Sequence, residues 1–156
     1  YIHDEIGYNY RMTNLQAALG VAQMEELPEF VERKHRNYDL YCELFRNFEL
    51  AYLLGYRKGT YSNQWFYSLV IDRSKVKATM RAIITKLQTE YGIETRAIWG
   101  LINEQLPYVK EECFELECGP YYSERVLNIP SSTQLKEDDI YYAAEKIMAV
   151  LKVLEE

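Results

Sequence analysis

The stretch Gly7-Tyr8-Asn9-Tyr10-Arg11-Met12-Thr13-Asn14-Leu15-Gln16-Ala17-Ala18-Leu19-Gly20 joins a polar, aromatic loop to the start of a helix. Thr13 and Gln16 have the T-x-x-Q spacing of a capping box, in which each side chain satisfies a backbone N–H that the helix leaves orphaned. Leu15, Ala18, Leu19 and Ala22 then recur at helical spacing, and Ala17, Ala18, Gly20 and Ala22 are small enough to let another backbone come close. Asn9 and Arg11 stand just ahead of that N-terminus. Free N–H groups, the positive end of a helix dipole, a guanidinium fork and an amide donor together suit an anion, above all a phosphate. The plainer alternative is an Arg paired with a carboxylate and an Asn serving a turn, and the residue types alone favour it.

Pro28 suits the first turn of a helix better than an interior. It therefore predicts two consecutive helices, about 14–26 and 28–47, bent at Leu27-Pro28. Phe30, Val31, Tyr38, Tyr41, Leu44, Phe45 and Phe48 form the apolar face of the second. Glu32, Arg33, Arg36 and Asp39 form its solvated face, with His35 exposed among Arg33, Lys34 and Arg36.

Gln64–Ile71 is aromatic and β-branched, hence a strand. Asp72 and Ser74 offer a cap for a helix carrying Val76, Met80, Ile83, Ile84, Leu87 and Tyr91, closed by Gly92. Ile93–Trp99 reads as a second strand, 100–120 as irregular, and Val126–Ile129 as a third strand stopped by Pro130. A last helix, about 136–154, aligns Ile140, Ala144, Ile147, Leu151 and Leu154. The expected core is Leu15, Leu19, Phe30, Tyr41, Leu44, Leu69, Ile83, Leu87, Ile147 and Leu151. These elements predict a mixed α/β fold, with helices packed on a small, mainly antiparallel sheet.

A chain of 156 residues with formal net charge −6 and 48% hydrophobic residues is sized for one globular domain. Its negative charge argues against nucleic acid as a partner. No apolar run approaches the ~20 residues of a membrane span. Fifteen tyrosines against five phenylalanines point to half-buried surfaces or a partner interface. Cys42, Cys113 and Cys118 are too few and too widely spaced for a disulfide framework or a metal site, which suggests a reducing cytoplasm. There is no phosphate-binding glycine loop, no HExxH and no GxSxG. The sequence opens on Tyr1 rather than Met, as expected of a processed protein or a piece of a longer polypeptide.

The run Tyr1–Gly20 resembles the DegT/DnrJ/StrS-type sugar aminotransferases, which are fold type I, pyridoxal-phosphate-dependent enzymes. The likeness continues through Ala22-Gln23-Met24-Glu25-Glu26-Leu27. Further on, Gln64-Trp65-Phe66-Tyr67 resembles the family's Trp-containing strand, and Gly92-Ile93-Glu94-Thr95-Arg96 its GI-x-TR strand. Leu127-Asn128-Ile129-Pro130-Ser131-Ser132 resembles the strand before its last helix. The stretches Arg96–Trp99 and Leu127–Leu135 look closest to the branch serving nonulosonic (legionaminic-type) acids. Three places depart from the pattern: Ala97 stands where the family carries Pro, Asn103 where it carries a His, and Leu135-Lys136-Glu137 where it carries a capping Thr or Ser before the last helix.

The resemblance implies that residues 1–26 are a cofactor-facing loop and helix continuing from a large domain, and 27–156 a C-terminal small domain. It implies pyridoxal 5′-phosphate as cofactor and a homodimer with the site at its interface. Asn9 and Arg11 would serve the partner subunit's cofactor on its phosphate side. Tyr8, Tyr10 and His3 stand behind them as interface residues, and Arg96 and Trp99 are substrate-side candidates, although Trp99 equally suits a core ring at a strand end. The implied reaction moves an amino group, from glutamate, to a nucleotide-linked keto sugar for surface glycans. The Schiff-base lysine would lie upstream, so this chain alone is expected to be inactive; none of its nine lysines has the apolar surroundings that depress a lysine pKa. The alternative is a non-catalytic interaction module that keeps the small-domain fold.

Overall fold

The computed structural model describes residues 4–155. The chain runs α1 (Asn14–Phe45), β1 (Ala51–Leu53), β2 (Tyr67–Ile71), α2 (Met80–Tyr91), β3 (Arg96–Ala97), a 3-10 turn (Ile102–Glu104), α3 (Cys118–Ser123), β4 (Val126–Ile129) and α4 (Glu137–Val153). The four strands form one antiparallel sheet in the order β1-β2-β4-β3. The mixed α/β expectation, helices on a small antiparallel sheet, is what the chain adopts.

The register sorts the side chains into two faces, because directly paired residues point the same way. Tyr67, Leu69 and Ile71 share a face with Ile129, Leu127 and Ala51. Against them lie Tyr41 and Phe45 of α1, Ile83 and Leu87 of α2, and Ile140, Ile147 and Leu151 of α4, all buried in one core. The other face carries Ser68, Asn128 and Arg96 side by side. Residues 98–125 run between β3 and β4 and include α3.

Local chemistry sets the ends of the elements. Thr13 and Gln16 form the expected box: the Thr13 N–H donates to Gln16 Oε1 (2.9 Å), and the Gln16 N–H to Thr13 Oγ1 (3.3 Å). Gly92 ends α2 at φ 67°, a left-handed position that glycine occupies without a Cβ clash. Lys136 precedes α4, and its N–H donates to the Asp139 carboxylate (2.9 Å).

Several expectations are corrected. α1 is unbroken across Pro28. Proline removes a single donor, the one meant for the Met24 carbonyl, and that turn is exposed. The helix is fixed independently at both ends, by the Thr13 cap and by Tyr41 and Phe45 in the core. Leu15 and Leu19 are 81% and 65% exposed, because the sheet and α4 pack only on the later part of α1. Phe30 and Leu44 are half-buried, and the other six expected core residues are buried.

β2 starts at Tyr67 rather than Gln64, whose φ of 53° interrupts extended backbone. Thr79, not Asp72 or Ser74, caps α2, accepting the Ala82 N–H at 3.2 Å. Asp72 instead accepts the Ser74 N–H within a turn, and Val76 is buried ahead of the helix. β3 is only two residues long, and β1 and α3 were not anticipated. His35 is half-buried rather than exposed, its Nε2 lying 2.8 Å from the Ser62 carbonyl and its ring stacked on Tyr61. Arg33 likewise leaves the solvated face to donate to the Thr133 carbonyl (3.2 Å).

Candidate functional site

Two separate surfaces carry the sequence-derived candidates. The first is the segment 4–13 leading into α1. His3 lies outside the described residues. Asn9 Oδ1 accepts the Arg11 N–H at 3.0 Å, so Asn9 fixes the bend that presents Arg11. The Arg11 guanidinium is exposed and makes no hydrogen bond or ion pair among the described residues. Tyr8 and Tyr10 are exposed, with ring centroids 5.9 Å apart. Asn9 thus takes the turn role of the plainer reading, while Arg11 has no carboxylate partner among the described residues. A free guanidinium two residues before a capped helix start fits a phosphate dianion, such as that of pyridoxal phosphate.

The second surface is the polar face of the sheet. Ser68 Oγ donates to Asn128 Oδ1 at 2.9 Å, and Asn128 pairs with Arg96 across β4 and β3. Arg96 is exposed and forms no ion pair among the described residues. Trp99, just beyond β3, joins an aromatic cluster with Trp65 and Phe66: centroids lie 4.4 Å (Trp65–Phe66), 5.3 Å (Phe66–Trp99) and 6.1 Å (Trp65–Trp99) apart. Trp65 and Trp99 are each 64% exposed, so Trp99 is not the core ring that a strand end allowed. Trp99 also lines a cleft of about 620 Å³ with Ile98, Leu101, Ile102, Tyr108 and Leu116. Asn103 and the acidic pair Glu111 and Glu112 line it too.

The backbone beneath these rings is tied down. The Trp65 carbonyl accepts from Lys34 Nζ (2.9 Å) and Ser131 Oγ (3.1 Å). Lys34 Nζ also donates to the Ser131 carbonyl (2.6 Å), and Tyr56 donates to the Phe66 carbonyl (3.1 Å). Lys34 corrects the expectation about lysines: burial pushes its ammonium below the usual lysine range. With two carbonyls holding its protons, it serves as an anchor rather than a nucleophile.

Arg96 and Trp99 thus share one region, whereas no hydrogen bond or ring contact among the described residues links them to segment 4–13. Phe66, Ser68 and Asn128 were not singled out as site residues, nor was Trp65 beyond its strand. The signal was present: Ser68 and Asn128 are the polar interruptions of two otherwise apolar strands, YSLVI and VLNI. Only the register shows that they meet.

Among the described residues, no cluster of His, Cys, Asp or Glu could hold a metal ion, and no helix is long and apolar enough to cross a membrane.

Residues 1–148 match the DegT/DnrJ/EryC1/StrS aminotransferase family, and the chain belongs to it. It is 30% identical over 148 residues to a GDP-perosamine synthase of Escherichia coli O157:H7, covering 94% of this chain and 38% of that protein. It is 33% identical over 147 residues to a GDP-perosamine synthase of Vibrio cholerae, covering 90% and 38%. The fold superposes with TM-score 0.85 on Helicobacter pylori PseC, an aminotransferase involved in the biosynthesis of pseudoaminic acid. That pair is 16% identical, over 96% of this chain and 40% of the other, which speaks for the fold alone. The chain therefore spans less than half the length of these relatives. Relatives in the family are pyridoxal-phosphate-dependent, and its solved members are aminotransferases of fold type I.

Proposed function

We propose that this chain is the cofactor-facing loop and helix (1–26) and the small domain (27–156) of an aminotransferase acting on a nucleotide-linked keto sugar for surface polysaccharide synthesis. The amino donor is glutamate, the enzyme is a cytoplasmic homodimer, and the Schiff-base lysine belongs to the part of the polypeptide that this chain does not cover. The names of its relatives favour a GDP-linked sugar.

One observation carries the reading: Arg11, exposed and without an ion pair among the described residues, stands two residues before the capped start of α1 inside the family-matching stretch. Arg11 would hold the cofactor phosphate of the neighbouring subunit through charge-assisted hydrogen bonds. Asn9, whose Oδ1 is committed to the Arg11 N–H, would set the angle at which the fork is offered and keep its amide N–H groups for the anion. Tyr8 and Tyr10 would border the same interface. The cofactor supplies the electron sink that makes amino transfer feasible. On the substrate side, Arg96 offers a fixed positive charge to a diphosphate and Trp99 a flat apolar wall.

The test is amino transfer by the full-length protein, with pyridoxal phosphate, glutamate and a GDP-linked 4-keto-6-deoxy sugar. Formation of 2-oxoglutarate in step with an amino sugar is expected. A protein that retains the cofactor but forms neither product would support the non-catalytic module instead.

A further inference from the structure

We propose that the cleft bounded by Trp99 receives the nucleobase of the nucleotide-linked sugar, that this base is guanine, and that Glu111 and Glu112 select it. The proposal rests on the aminotransferase reading above.

Two tryptophans standing 64% exposed forgo the stabilisation that burial of such large rings gives. The backbone beneath one of them is nonetheless held firmly. Gln64, the residue before Trp65, is buried at φ 53°, and its Oε1 has no partner among the described residues, a local cost borne at the foot of the cluster. Lys34 and Ser131 clamp the Trp65 carbonyl, and Tyr56 clamps that of Phe66. The result is a rigid aromatic platform, of the kind on which planar bases stack.

The adjoining cleft, at about 620 Å³, lies within the ~300–1,000 Å³ typical of small-molecule sites. Its walls are apolar apart from a few polar groups, with two carboxylates among them. Ionised carboxylates only accept hydrogen bonds. Guanine presents N1–H and N2–H₂ as adjacent donors, which one carboxylate can bind together. Uracil and thymine instead flank their single N–H with two carbonyl oxygens, which a carboxylate repels. The cations complete the fit. Among the described residues, Arg96 forms no ion pair on the neighbouring sheet face, and the Lys34 ammonium beneath Trp65 is bonded to two carbonyls and to no carboxylate. In a chain of net charge −6, these two positive groups complement a diphosphate.

Calorimetric titration of the full-length, cofactor-loaded protein with GDP, IDP and UDP tests this. Wild type is expected to bind GDP at least tenfold more tightly than UDP, with IDP, which lacks the 2-amino group, in between. The double variant E111Q/E112Q should lose about tenfold for GDP, less for IDP, and nothing for UDP. Trp99→Leu should weaken GDP and UDP alike by about tenfold, and Trp99→Phe should restore most of that loss. Circular dichroism confirms that each variant is folded. Equal affinity for GDP and UDP in wild type, or GDP binding indifferent to E111Q/E112Q, overturns the proposal. The two readings fail separately. Amino transfer to a UDP- or TDP-sugar with GDP excluded sinks the guanine assignment alone. Selective GDP binding that follows these substitutions, without amino transfer to any nucleotide-linked keto sugar, sinks the enzymatic reading alone.

Discussion

The Tyr67 hydroxyl donates at 2.9 Å to the backbone carbonyl of Lys34, the residue whose own ammonium reaches two carbonyls just beyond the ends of the two central strands. Lys34 therefore crosslinks α1 to the entry of β2 and the exit of β4 through its main chain and its side chain. Lys34→Met keeps the stem and removes the donors. It is expected to cost about 1.5 kcal/mol, the low end for charged hydrogen bonds, since the group is part-exposed. Urea denaturation measures the loss. An unchanged midpoint would show that the two carbonyls are equally well served by water.

The contrast between the two halves of the leucine set is testable in the same way. Leu87 is fully buried in α2, so Leu87→Ala should destabilise by about 2–5 kcal/mol. Leu19, 65% exposed, should tolerate alanine within about 0.5 kcal/mol. Equal losses at both positions would mean that the first half of α1 is covered in solution.

High pH should unfold the chain through its tyrosines. Burial raises the hydroxyl pKa of Tyr38, Tyr41 and Tyr67 well above the usual value near 10. A folded-state pKa above the unfolded one contributes stability that is whole below about pH 10 and is lost as the pH rises towards the folded value. Absorbance at 295 nm should show exposed tyrosines ionising first. Tyr41 and Tyr67, which are buried, and the half-buried Tyr38 should ionise together with loss of the far-ultraviolet helix signal. Full ionisation with the helix signal intact would contradict the burial of these hydroxyls.

Arg11 lends itself to complementation in the complete enzyme. Arg11→Ala should weaken cofactor retention about ten- to a hundredfold, as loss of a charged hydrogen bond implies, and Arg11→Lys should recover part of it. Mixing Arg11→Ala subunits with subunits lacking the Schiff-base lysine should restore activity. One site in each mixed dimer then has both groups. Mixed dimers no more active than their parents would place Arg11 within its own subunit's site.

Much of this was legible from residues alone. The Thr13–Gln16 box, Gly92 and the Val126–Ile129 strand each announce themselves by local chemistry, and each stands where expected. What failed depended on distant partners. Pro28 marks a break only when the flanking turns have nothing else to hold them, and Leu15 and Leu19 repeat at core spacing without a core beside them. β1, at three residues, is too short to show a period and exists because β2 pairs with it. The aromatic cluster shows the same limit. Trp65 and Trp99 are more than thirty residues apart, and only the β2-β4-β3 order brings their rings together. The expected nonulosonic branch rested on Arg96–Trp99 and Leu127–Leu135 and is not borne out by the curated relatives matched at 30% and 33% identity, two perosamine synthases.

The continuity of α1 has a mechanical consequence. At about 1.5 Å per residue, the helix between Asn14 and the buried Tyr41 is a rod of roughly 40 Å, seated in the core at one end and carrying Asn9 and Arg11 at the other. A tilt of about 5° at the seated end swings the far end by roughly 3–4 Å, more than the length of a hydrogen bond. Any shift of the sheet against its helices would thus reach the loop that carries Arg11 magnified, as a lever converts a small rotation near its fulcrum into a long stroke at its tip.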